Sequence, residues 1–191
     1  SFLETQNKRY VFLFIRILYK KGLIPKEEII SQLKVIDNYY DIKLVSFFLP
    51  ELIELNPNCI SFLQSNKFSM FIKKYLSNKN IDSYEQMLDK MEPDDTLTKS
   101  FRNDDVDTLQ SIITQNEIDI SKEIVPYNIF DDFDDNPTFL NYAALYGSIK
   151  CFKYLLLNNG KIDQSSLYFA VYGGNIEIIK IVDQSKFSFE K

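Results

Sequence analysis

The chain has 191 residues, 45% of them hydrophobic and 15% aromatic, which is enough apolar mass for a packed core and too much for global disorder. A formal net charge of −5 disfavours a nucleic-acid partner, whose phosphates call for a basic footprint, and the absence of histidine removes the commonest general base and metal ligand. Only five glycines and six prolines punctuate it, so the expectation is an all-α chain of helices joined by short polar connectors.

The run Tyr10–Tyr19 (YVFLFIRILY) is the most hydrophobic stretch. It is too short for a membrane span, is interrupted by Arg16 and is flanked by basic residues, so it predicts a buried core helix with Val11, Phe14, Ile15 and Leu18 on one face. It also lacks the small-residue cleavage site of a signal peptide. Gly22 is a stop signal, and Pro25 with Glu27 and Glu28 predicts a second helix running to about Ile36. A third helical stretch follows Asp41, and Pro50 inside it predicts a break or restart. Further helices are expected over Phe68–Leu76 and Ser83–Met91, the latter with Ser83 as N-cap and Gln86 in capping-box spacing. Met91–Asp95 (MEPDD) reads as a linker closing an N-terminal helical region at residues 1–93. The lysine pairs Lys20–Lys21 and Lys73–Lys74 are read as solvated charge, and Cys59 and Cys151 as buried free thiols of a reducing compartment.

The second half repeats. Three segments, at about 95–120, 138–163 and 165–191, align on a leucine (Leu97, Leu140, Leu167), then a small pair or near-pair (Ser100–Phe101, Ala143–Ala144, Ala170–Val171). A turn residue follows (Asp104, Gly147, Gly174) and then an apolar helix. Small residues let the first helix approach its neighbours closely, and Gly or Asp at the turn permits unusual backbone angles or caps the next helix. Such a hairpin cannot bury its faces alone, so copies must stack. The predicted helix pairs are Thr96–Ile113, Thr138–Leu157 and Ser165–Val182.

Thr138–Gly147 (TFLNYAALYG), followed by SIKCFKYLLLNNG, resembles an ankyrin repeat. The matches are Thr138, Leu140, Ala143, Ala144, Gly147, Leu155, Leu156 and Gly160, while Phe139 and Asn141 depart from the family's Pro and His. The third segment matches at Leu167, Ala170 and Gly174, and the first is weaker. The flavour is similar to the divergent ankyrin proteins of parasitic protists and large DNA viruses, and FFLPELIELNP (Phe47–Pro57) resembles their helical leader. Ala143 to Ala170 is a period of 27 residues against about 33 in the family, so the finger between those repeats shrinks to a tight turn. Ser100 to Ala143 is 43, the excess being an inserted loop, Ser121–Pro137.

The acidic run Asp131, Asp132, Asp134 and Asp135 lacks the Gly and Glu of a calcium loop and reads as a solvated loop, open to use as an acidic ligand for a basic partner. No Gly-rich phosphate loop or nucleophile elbow is present. No catalytic, cofactor or metal residues are assigned. The resemblance implies a helical solenoid of degenerate ankyrin-type pairs that binds an unidentified protein in the cytoplasm. The implied contacts are the concave face and the inserted loop, with Arg102, Asn103, Leu145, Tyr146, Gln164, Tyr172 and Gly173 as candidates. The alternative is an architectural, capping or self-association segment of a longer repeat protein. The initial Ser fits a fragment or a processed product, and the apolar last helix (Ile176, Ile178, Ile179, Ile181, Val182) fits an array that continues beyond this chain, with Phe187 and Phe189 either folding back as a lid or beginning the next repeat.

Overall fold

A computed structural model describes residues 2–34, 46–55, 81–93, 95–122, 124–125, 130–131 and 137–185. The chain is mostly helical, and among the described residues there is no strand, only an isolated bridge between Ile124 and Thr138. It divides into two compact units. The first is Ser1–Glu92 with Tyr127–Asp132, the second Pro93–Pro126 with Phe133–Lys191. The segment read as an inserted loop is thus shared between them. The helix expected over Phe68–Leu76 and the tail carrying Phe187 and Phe189 lie outside the described residues.

In the first unit, α1 is Phe2–Lys20, α2 Lys26–Lys34, α3 Leu49–Leu55 and α4 Ile81–Lys90. Pro50 falls in the first turn of α3, where a missing N–H costs nothing, so the helix restarts there as expected. Ser83 lies inside α4, whose first residue is Ile81, and so is not an N-cap. The core comprises Ile29, Phe47, Phe48, Leu49, Tyr84, Met87, Leu88 and Phe130.

The inward face of α1 differs from the one expected. Val11 is 50% and Phe14 59% exposed, whereas Phe12, Ile15 and Tyr19 pack on the core and Arg16 is only 3% exposed. Residues 11–15 are all apolar, so spacing alone does not single out one stripe. Arg16 decides the matter through its partners. Its Nη1 donates to the Phe47 carbonyl at 2.7 Å and to Glu51 Oε1 at 3.1 Å, and its Nη2 donates to Asp89 Oδ1 at 3.3 Å. Glu51 is itself buried, so a paired charge sits within an apolar core.

In the second unit the helices come in pairs: α5 Thr96–Arg102 with α6 Val106–Gln115, α7 Phe139–Leu145 with α8 Ile149–Leu157, and α9 Ser166–Gly173 with α10 Ile176–Ser185. First helices pack on first helices, α5 to α7 to α9, and second helices on second helices, α6 to α8 to α10. All three turn residues take left-handed backbone angles, with φ of 51° at Asp104, 64° at Gly147 and 70° at Gly174. This conformation reverses the chain tightly between the helices of a pair. Ala143 and Ala170 are fully buried, as close helix approach requires. Phe101 is sealed by the edges of Phe139 and Tyr142, at ring separations of 5.5 and 5.2 Å.

Two details of this unit refine the sequence reading. The last helix buries Ile178 and Val182, so of its isoleucines only Ile176 stands well out, 64% exposed. The described part of the inserted loop is anchored by buried residues. Val125 is buried in the second core, and its N–H donates to the Pro137 carbonyl at 2.9 Å, closing the loop's base. Phe130 is buried in the first core.

Candidate functional site

The candidate surface is built at the carboxyl ends of the first helices, where each chain segment leaves its helix for a left-handed turn. Arg102 ends α5, and its guanidinium carbon lies 4.8 Å from the centre of the Tyr146 ring, just past the end of α7. Tyr146 in turn sits 5.0 Å from the ring of the fully buried Tyr142. A guanidinium over a tyrosine face is held by the ring quadrupole, and the buried Tyr142 ring packs against the same tyrosine. Asn103 is exposed beside this stack, its backbone N–H donating to the Lys99 carbonyl at 3.0 Å. Tyr172, on the last turn of α9, is 48% exposed with Tyr168 one helical turn before it, the two rings 6.4 Å apart. Gln164 is exposed in the short connection before α9.

Two of the candidates occupy packing positions. Leu145 is only 7% exposed and belongs to the core. Gly173 lies where the end of α9 meets the end of α7 backbone to backbone. A Cβ there would sit 2.1 Å from the Ala144 carbonyl oxygen and 2.7 Å from that of Leu145. Both serve helix approach rather than a groove. Asp131, from the acidic run, is 5% exposed and so is not solvated, and Asp132, Asp134 and Asp135 lie outside the described residues.

A polar network between consecutive pairs was not foreseen. Asn141, 2% exposed on α7, donates through Nδ2 to Asp163 Oδ2 at 3.0 Å and to Ser165 Oγ at 2.9 Å. Its Oδ1 accepts from Ser166 Oγ at 2.7 Å. Burial pushes the Asp163 carboxyl up. Hydrogen bonds from the Ser165 hydroxyl and amide, Asn141 and Ser166 more than offset this and hold it below the usual range. The ionised carboxylate then accepts the Ser165 and Ser166 amides at 2.8 and 3.1 Å, capping α9. A polar Asn141 amid the apolar run of α7 is the one local signal of it in the sequence.

Burial, reinforced by the nearby Asp104 carboxylate, pushes the Cys151 thiol up to about 12, so it stays protonated near neutrality and is not a nucleophile. Among the described residues no group of three or more Cys, Asp or Glu is placed to hold a metal ion, and no helix is long and apolar enough to cross a membrane. Searches against protein-family models, known proteins and solved structures find no match.

Proposed function

We propose that the second unit is a short stack of degenerate ankyrin-type repeats and that it acts as a non-catalytic protein-binding module inside the cell. The observation that carries this reading is the Arg102–Tyr146 stack, flanked by exposed Asn103 and followed by exposed Tyr172 along the ends of successive first helices. Arginine and tyrosine held on a rigid scaffold are the side chains that most often anchor protein interfaces, because they bring large contact area at low ordering cost. Three helix pairs with left-handed turns at aligned positions, and alanines at the close approaches, support the repeat assignment. The buried thiol of Cys151 fits a reducing compartment.

The test is affinity capture from cells of the source organism with the whole chain, run in parallel with the surface variants Arg102→Glu and Tyr172→Ser. The expected result is a protein retained by the wild-type chain and lost with either variant, while the melting curves stay superimposed. An identical captured set for all three chains would reject this surface as a binding site.

A further inference from the structure

We infer that Asn159 is a site of spontaneous deamidation held shut by the end of α8, and that the isoaspartate it forms uncouples the second helix pair from the third. The inference is independent of the partner-binding reading above. Asn159–Gly160 is the one Asn-Gly step in the chain. Glycine has no side chain to shield its backbone nitrogen, so at this step the nitrogen most readily reaches the amide carbon of the asparagine before it. The step falls at the end of α8, where Asn158 is the C-cap and its Nδ2 donates to the Tyr154 carbonyl at 2.7 Å. Asn159 is exposed and takes a left-handed angle, φ 68°, which asparagine tolerates. Gly160 is buried, and its N–H donates to the Leu155 carbonyl at 2.8 Å, the bond that closes a helix end of this kind.

The reaction needs only water and neither oxidises nor reduces anything. The Gly160 nitrogen loses its proton and bonds to Asn159 Cγ, the Cγ–Nδ2 bond breaks, and ammonia leaves behind a succinimide ring. Water then opens the ring at either carbonyl, giving aspartate or isoaspartate. In the folded chain the nitrogen keeps its hydrogen on the Leu155 carbonyl, away from solvent, so attack waits for the helix end to open. The turn accepts one product and not the other. Helix α6 ends in the same way, with Asn116 as C-cap, Glu117 left-handed at φ 52°, and the Ile118 N–H donating to the Ile113 carbonyl at 3.0 Å. An acid thus already occupies the equivalent position, and aspartate at 159 fits. Isoaspartate instead adds a backbone carbon between residue 159 and Gly160. Gly160 sits so tightly that a Cβ alone would lie 2.7 Å from the Leu155 oxygen, so the longer backbone cannot close this end. Just beyond it, Asp163 joins Asn141 of α7 to Ser165 and Ser166 of α9, and that junction loosens with it.

The experiment incubates the whole chain in mildly alkaline buffer, folded and in denaturant. The tryptic peptide Tyr154–Lys161 is followed by mass spectrometry, with fragmentation that locates the converted residue and separates aspartate from isoaspartate. Asn158→Ala is run in parallel, because it removes the bond to the Tyr154 carbonyl and leaves the Asn-Gly step intact. In denaturant, Asn159 should convert first among the asparagines. In the folded chain it should convert more than about tenfold more slowly, and faster again in folded Asn158→Ala. Equal rates with and without denaturant overturn the inference, as does an unfolded chain in which Asn159 shows no preference. A folded rate that Asn158→Ala leaves unchanged overturns it too. The isoaspartate fraction, separated by chromatography, should melt below the wild-type chain, while Asn159→Asp melts with it. An isoaspartate fraction that melts with the wild-type chain overturns the uncoupling.

Discussion

The Asp104 carboxylate accepts the amide hydrogens of Lys150 at 2.9 Å and Cys151 at 3.0 Å, so the turn of one helix pair caps the second helix of the next. That helix, α8, needs the outside help. Its own N-cap, Ser148, makes no capping bond because its hydroxyl donates to the Phe101 carbonyl instead. Asp104 therefore serves two pairs, shaping its own turn at φ 51° and closing the orphan donors of its neighbour. Asp104→Ala is expected to cost about 1–3 kcal/mol, the sum of a lost cap and a left-handed alanine. Asp104→Asn, which tolerates that backbone and keeps an acceptor, should cost less than about 1 kcal/mol. Urea denaturation of both variants checks this, and equal midpoints for the two would refute it.

Adjacent glycines at 173 and 174 should respond in different ways. Gly174 has φ 70° with open space where a side chain would go, so Gly174→Ala carries only backbone strain of about 1–2 kcal/mol and Gly174→Asn less. Gly173 has no such angle, yet any Cβ would drive into two carbonyl oxygens of α7. Gly173→Ala must therefore push α9 away from α7, an overpacking cost of about 1–3 kcal/mol. The diagnostic comparison is asparagine at each position, expected to be mild at 174 and severe at 173 in thermal melts. Equal melting temperatures would mean the two helices are not in close contact.

Arg16 and Glu51 are expected to behave as a unit. Arg16→Met strands a buried carboxylate and should cost about 3–5 kcal/mol. Arg16→Met with Glu51→Leu removes both charges and should recover most of that loss, since an apolar pair of similar volume is often as stable. Chemical denaturation of the single and double variants measures the coupling. Additive losses would show that the ion pair does not organise the first core.

The Cys151 thiol gives a pH-dependent signature. In the folded chain it holds its proton to about 12, whereas its ordinary value is 9.0. The folded form binds that proton more tightly, so the stabilisation is complete below about pH 9 and is lost as pH climbs towards 12. Wild type should lose more stability over that window than Cys151→Ala does. Alkylation of the Cys151-containing peptide, followed by mass spectrometry, should likewise be negligible at pH 8 until the chain is unfolded. Rapid labelling of the native chain would contradict the burial.

The helix pairs were legible because two signals coincided at fixed spacing. Apolar residues recur at helical period, and Asp104, Gly147 and Gly174 mark the turns, so the pairs lie where the spacing placed them. The faces were less legible. Along α1 consecutive apolar residues leave no polar side to orient the helix, and Arg16, read as an interruption, proved to be its most buried described residue. Its partners Glu51 and Asp89 are 35 and 73 residues away, and nothing local announces such a pairing. Among the site candidates, Arg102, Asn103, Gln164 and Tyr172 reach the surface, and Tyr146 does so under Arg102. Leu145 and Gly173 are set by how closely two helices approach, a quantity that one chain's spacing does not contain.

Phe130 has a consequence for how the chain is made. It is 1% exposed in the first core, its ring 6.4 Å from Phe47, yet it lies beyond the first helix pair of the second unit. During synthesis from the amino terminus, the first core remains without this aromatic wedge until residues 93–126 have already emerged. Cutting the chain near residue 93 would not release a whole domain but one lacking a ring it was folded around. The boundary between the two units is therefore crossed three times by the backbone, and neither unit can be excised as one continuous stretch of sequence.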